Sequence, residues 1–487
     1  MRTLLFPGRV YYLVIAGLAF LFASTLPHRI EHFDDPWCAE QAHWLLKDGY
    51  VHSEMFRGLN FWEDRLYVFH KAFVYAQAPV LWVFDFSVVG AKTTPLLFGV
   101  AGLGLLLYYF RGRSEAQVLA TALYLGCGTL MLFGFDNRPE TMVMAFGFAS
   151  YLVLSRERLT ARYLALAGVL AGLAALTHLN GLIYVAAGAL WLLMQRGWRP
   201  ALGFGAAGGL TTGLYFLDAL LDGRLDRLVY QFVHDPVTAA NQHLATKLAV
   251  MADFHRTFFH SEGETFLTIV LVLVLLVLAL RTVTRPALSP AMRYLLLLLG
   301  LFWLLTKSNT AYYYLLFVPF IVVVLAETLL AAAPRLAPWQ RTAVLALLAL
   351  YPVGAGLRAY NLLRENWTYP DTESENARLA AFMPERGAKI IAPIDFFFGQ
   401  INNYRIRSLT YFYYAEALQY HGQLPLTAFF DLAAHDTVRY VVTDQRLNNS
   451  VYRIPATAPG RIGAYQRVFQ DAWHSVYVRD QPVSAAP

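Results

Sequence analysis

The chain has 487 residues, of which 57 % are hydrophobic and only 15 % charged, with a formal net charge of +6. Soluble globular domains carry roughly 25 % charged residues, so this composition excludes an ordinary soluble enzyme and points to a polytopic membrane protein. The basic residues sit in short loops between apolar runs, which makes the positive excess a matter of topology and argues against a nucleic-acid partner.

The first run, Val10 to Leu26, lacks a small-residue cleavage site followed by a soluble domain and reads as a retained anchor. A bilayer core of ~30 Å needs ~20 mostly apolar residues per helix. Eleven stretches qualify: 10–26, 91–110, 116–134, 141–155, 163–178, 181–194, 200–221, 265–281, 293–307, 311–330 and 341–357. Every second connection is basic, carrying Arg2 and Arg9, Arg111 and Arg113, Arg156, Arg158 and Arg162, Arg196 and Arg199, Arg281, Arg285 and Arg293, then Arg335 and Arg341. That side is the cytoplasm by the positive-inside rule. The stretch Phe73 to Phe86 is apolar but holds Gln77, Pro79 and Asp85, and counting it as a span would reverse every later loop. It reads as a helix lying at the outer interface.

The outer side then receives a first loop over 27–90, a second over 222–264, and the tail. In the tail, "GAKIIAPIDFF", "VRYVVTDQRL" and "HSVYVRD" read as strands between helical or polar segments. The expected architecture is an all-α polytopic membrane domain, 1–357, with interfacial helices on its outer face, followed by a small extracytoplasmic α/β domain, 358–487. Cys38 and Cys127 are the only cysteines, one beside an Asp pair and one inside an apolar run, so no disulfide framework is expected.

The chemistry-bearing residues gather on the outer face. In "FDDPW", Pro36 suits the first position of a helix, which places Asp35 at its N-cap. Asp34, one residue further out, has no such structural task and can project into a cavity. "FDNRPET" sets Asp136, Arg138 and Glu140 at the outer end of the third and fourth spans, either as an internal ion pair or as an Arg oriented to meet an anionic headgroup. "LTHLNGL" adds His178 and Asn180, and "TKSNTAYYYLLF" adds Lys307 with Tyr312, Tyr313 and Tyr314. Each also has a structural reading, as a hydrogen-bonded turn, a snorkelling lysine or an interfacial tyrosine belt. Arg138, His178 and Lys307 nevertheless converge on the side where short-turn cations are least expected. The second loop holds His234, His243, His255 and His260 without a compact ligand spacing such as H-E-x-x-H, and no nucleotide-binding motif appears.

An Asp pair soon after the first span, interfacial helices, an R-P-E turn two spans later and an outer C-terminal domain resemble the GT-C glycosyltransferases. More narrowly, the chain is similar to the branch containing protein O-mannosyltransferases and the ArnT-like aminoarabinose transferases. In that family the first outer loop often begins with Asp-Glu, whose Asp is the catalytic base. The resemblance implies Asp34 as base, with Asp35 standing where the family has Glu. It implies a polyprenyl-phosphate sugar donor in the membrane and a lipid, glycan or protein acceptor arriving from the far side. Arg138, Lys307 and His178 are then expected at the donor phosphate, with Glu140, Asn180 and Tyr313 lining the pocket. A requirement for a divalent cation stays open. A secondary transporter is the main rival, and a membrane receptor or scaffold the second. A transporter should carry polar groups at mid-membrane, whereas here they collect at one face. An oligosaccharide ligase or phospho-headgroup transferase also remains. The absence of a eukaryotic retention signal favours a bacterial inner membrane with the active site on the periplasmic side.

Overall fold

The computed structural model describes residues 8–26, 34–236, 243–279, 288–420, 422–446 and 451–480. Arg2, Arg281 and Arg285, three of the topology-setting residues, lie outside the described residues, as does the start of the first outer loop. All eleven apolar stretches are helical over most of their length, but among the described residues four helices are long and apolar enough to cross a membrane: Val88–Tyr109, Trp198–Leu221, Ala311–Arg335 and Pro338–Ala380. Five more are shorter: Arg9–Ser24, Glu140–Leu154, Ala161–Thr177, Gly263–Ala279 and Pro290–Leu305. The expectation of about eleven full spans is corrected accordingly. Hydropathy counts apolar residues without seeing where the helix stops. The stretch 116–134 breaks at Gly126 and Cys127 into Ser114–Leu125 and Gly128–Phe133. A 15-residue helix such as Glu140–Leu154 rises only about 22 Å.

Four helices open the chain: α1 (Gly8–Ser24), α2 (Asp34–Asp48), α3 (Lys71–Phe84) and α4 (Val88–Tyr109). The helix expected over Phe73 to Phe86 is α3. It buries Phe73, Val74, Gln77 and Leu81 while Tyr75, Trp82 and Val83 stay exposed. Within the bundle, small residues set the closest approach. A Cβ added at Gly168 would stand 2.4 Å from the Phe204 carbonyl oxygen, and one at Gly172 2.5 Å from Thr211. Their absence lets the helices Ala161–Thr177 and Trp198–Gly213 touch backbone to backbone, as small-residue spacing does in membranes.

The tail forms a six-stranded sheet in the order β2-β1-β3-β6-β5-β4, with β1 (Lys389–Ala392), β2 (Arg405–Ser408), β3 (Tyr440–Asp444), β4 (Arg461–Ile462), β5 (Tyr465–Gln470) and β6 (His474–Arg479). The three strand segments read from the sequence are β1, β3 and β6. β1 runs parallel to both β2 and β3, and β6 returns antiparallel to β3. β3 is buried along its whole length, as a strand covered on both faces should be.

The segment between α2 and α3 does not hang free of this sheet. Val51, Met55, Phe56, Leu59 and Trp62 share one hydrophobic core with Ile390, Ile406, Phe412 and Val441. Ser408 N donates to Met55 O at 2.9 Å, and Gln419 Nε2 to Gly58 O at 2.8 Å. Glu40, buried on α2, pins the same loop by accepting from Ser53 Oγ (2.6 Å), Glu54 N (2.7 Å), Met55 N (2.9 Å) and Trp44 Nε1 (3.0 Å). Cys38 and Cys127 are both free and buried.

Candidate active site

α2 begins at Asp34, so Asp35 lies inside its first turn and not at the cap where the sequence placed it. Its carboxylate is wholly buried and accepts from Asn137 N at 2.6 Å, while Lys92 Nζ lies 3.1 Å away. The Asn137 side chain returns a bond to the Asp35 carbonyl at 2.7 Å. Gln77 of α3 donates to the Asn137 amide oxygen, and Asp136 sits 3.8 Å from the same Lys92. The turn 135–138 is therefore gripped from α2, α3 and α4 at once. Buried polar groups are costly unless paired, and here each helix supplies a partner.

That grip aims the next residue. Arg138 emerges from the turn into an ion pair with Asp34. On its other flank the guanidinium forks onto Glu140, with Nε at 3.2 Å and Nη2 at 2.9 Å. Its plane lies 3.6 Å over the Tyr312 ring, a cation–π contact in a shielded setting. Arg138 and Glu140 are buried, but the Asp34 side chain keeps 23 % of its surface exposed. One carboxylate is thus held rigidly and yet remains open to an approaching molecule.

Beside this group the His178 and His70 rings stack at 4.7 Å, and His178 meets the Tyr313 ring edge-on at 5.9 Å. His178 Nδ1 accepts from Asn180 N at 3.0 Å. Burial holds the His70 imidazole below its ordinary value, which favours the neutral ring. Lys307 is exposed and reaches the helix Leu225–Val233, its Nζ 4.9 Å from the Phe232 ring. A further buried cation, Lys71 at the start of α3, pairs with Asp218 and sits 4.5 Å over Phe69. Burial pulls its ammonium below the usual lysine value, against the pull of Asp218. No group of three or more His, Cys, Asp or Glu side chains is placed to hold a metal among the described residues.

Sequence reasoning missed Lys92, Asn137, His70 and Lys71. Lys92 carried a usable signal, because an ionisable residue inside an apolar span marks a functional or structural partner by default. The others became visible only when distant turns met.

The helical bundle with its C-terminal sheet has the fold of solved GT-C glycosyltransferases. The chain matches ArnT from Cupriavidus metallidurans bound to undecaprenyl phosphate with a TM-score of 0.62 and 14 % identity, over 98 % of this chain and 99 % of that one. The Archaeoglobus fulgidus oligosaccharyltransferase in its apo form matches at a TM-score of 0.52 and 14 % identity, over 90 % of this chain and 70 % of that one. The arabinofuranosyltransferase AftD from Mycobacteria matches at 0.52 and 15 % identity, over 98 % of this chain and 40 % of that one. No protein-family model and no curated protein sequence matches the chain.

Proposed function

We propose that the protein is a GT-C glycosyltransferase that moves a sugar from a polyprenyl-phosphate donor to a lipid, glycan or protein acceptor at the outer face of the membrane. The observation that carries this reading is the Asp34 carboxylate, partly open and fixed by Arg138, which is itself forked onto Glu140 and stacked on Tyr312. Asp34 takes the proton of the acceptor hydroxyl or amine as that atom bonds to the anomeric carbon. The bond from the anomeric carbon to the phosphate oxygen breaks, and the polyprenyl phosphate leaves as an anion. Such a leaving group needs no acid partner of the kind a glycoside hydrolase uses. Arg138 orients the base and, with Lys307, His178 and the newly found Lys71, supplies positive or donor groups for charge growing on the phosphate. Asn180 and Tyr313 hold the His178 ring. Asp35 works at one remove, through Lys92 and Asn137.

The likeness in fold to a protein bound to undecaprenyl phosphate supports the donor class. In this reading residues 1–357 form the membrane catalytic part and 358–487 the outer domain, on the periplasmic side of a bacterial inner membrane. The test is transfer of radiolabelled sugar from a panel of synthetic polyprenyl-phosphate sugars by protein in nanodiscs, with and without chelator. Transfer or donor hydrolysis lost in Asp34→Asn is the expected result. Folded protein that neither binds nor turns over any donor would move the assignment to a transporter or scaffold.

A further inference from the structure

Beyond the far end of α2, two adjoining clefts of about 380 and 290 Å³ form one groove between the first outer loop and the edge of the sheet. They share Glu54, Arg57, Arg405 and Ile406. The charged lining is Lys47, Arg57, Lys389, Arg405 and Arg407 against only Glu54 and Asp436. Two of these cations are matched within the protein: Arg57 donates to Glu54 at 2.7 Å, and Arg407 pairs with Asp436. Lys389 Nζ meets only neutral oxygens, the Asp436 carbonyl and the Thr437 hydroxyl, each at 3.3 Å. Lys47 lies 4.8 Å over the Trp44 ring, and the Arg405 side chain has no ion pair among the described residues.

The register makes this arrangement unusual. β1 and β2 run in parallel with Lys389 directly opposite Arg405. Like charges opposed on one sheet face repel and destabilise the pair. β2 is an edge strand, and an edge is often protected by a charge. Edge protection accounts for Arg405 and leaves its lysine neighbour unexplained. An anion seated between them removes the repulsion.

We infer that this groove binds a multivalent anion, the phosphate- or carboxylate-bearing part of the acceptor. The anion site stands on the groove itself; its assignment to the acceptor rests on the transferase reading. α2 connects the two places, with Asp34 at one end and Lys47 near the other, about 20 Å apart along the helix. The acceptor is accordingly a glycan or glycolipid whose charged groups lie several sugar units from the attacking atom.

The test uses the full chain in neutral phosphatidylcholine nanodiscs with undecaprenyl phosphate present throughout, titrated calorimetrically with inorganic pyrophosphate. Wild type is expected to bind, more weakly as salt rises, and the double variant Lys389→Gln/Arg405→Gln at least tenfold more weakly. Asp436→Asn, which releases Arg407, is expected to bind more tightly and so decides the matter if the double variant fails to fold. Unchanged affinity in both variants overturns the site. Displacement of pyrophosphate by phosphatidylglycerol in the disc would assign the groove to lipid headgroups and overturn the acceptor assignment. Pyrophosphate binding that depends on Lys389 and Arg405 in a protein that transfers no sugar would keep the anion site and remove the transferase reading.

Discussion

Asp35 and Lys92 face each other at 3.1 Å with side chains 0 % and 1 % exposed, an ion pair joining the first turn of α2 to the beginning of α4. Its surroundings decide what it is worth. Removing one partner of a buried pair strands the other and costs roughly 3–5 kcal/mol, whereas replacing both can be close to neutral. Lys92→Met alone should therefore lower the melting temperature sharply, and Lys92→Met/Asp35→Asn should recover much of the loss. Thermal unfolding in nanodiscs reads this directly. Additive losses in the double variant would mean the two residues do not act as a pair.

Asp34→Asn should leave folding intact and reduce transfer by roughly 10²–10⁴-fold, the range ascribed to a positioned general base. Arg138→Lys keeps the charge but loses the planar fork that engages Glu140 while meeting Asp34. It should cut kcat with little change in donor binding. If Arg138 serves only to hold phosphate, the donor KM will rise instead and kcat will stay near wild type.

Tyr312 offers its ring face to Arg138, a contact worth about 0.5–2 kcal/mol. Tyr312→Phe retains the face and should retain activity; Tyr312→Leu should lower kcat several-fold. A Phe variant as impaired as Leu would shift the role to the hydroxyl.

Burial raises the Glu40 carboxyl from its ordinary 4.5 to about 7, even though four donors pull it down. Such an acid binds more protons folded than unfolded between those two values. Its contribution to stability is complete below about 4.5 and is lost as the pH climbs through about 7. Glu40→Gln keeps most of the hydrogen bonds and removes the titration. Its melting temperature should vary less between pH 4.5 and 7 than that of wild type. Equal slopes for the two proteins would show that the carboxyl is not protonated in the folded state.

Much of the local structure was legible in the chain. Alternation of apolar runs and basic loops located the helices, because burying backbone in lipid forces internal hydrogen bonding. Pro36 announced the start of α2, the apolar stretch from Phe73 became the helix α3, and the β-branched segments Ile390–Ile391 and Val441–Val442 became strands. Asp34, Arg138 and Glu140 were each singled out before their contacts were known. Span length was the weak point: turns at Gly126 and Cys127 cut a continuous apolar stretch, and composition cannot see a break that costs no polarity.

The sequence by itself determined a chain of apolar helices joined by short basic loops, since both follow from composition and short-range periodicity. Only the tertiary structure decided what those residues do to one another. Asp35 lies 102 residues from Asn137, and Glu375 of the C-terminal part meets Arg446 at 2.7 Å and His474 at 3.6 Å, both of them distant along the chain. Such contacts form because a buried charge must find a partner wherever packing brings one, and one-dimensional spacing carries no record of that search. The same reason separates the two aspartates of the pair: packing buries Asp35 against Lys92 and leaves Asp34, one residue away, facing Arg138 and the open side.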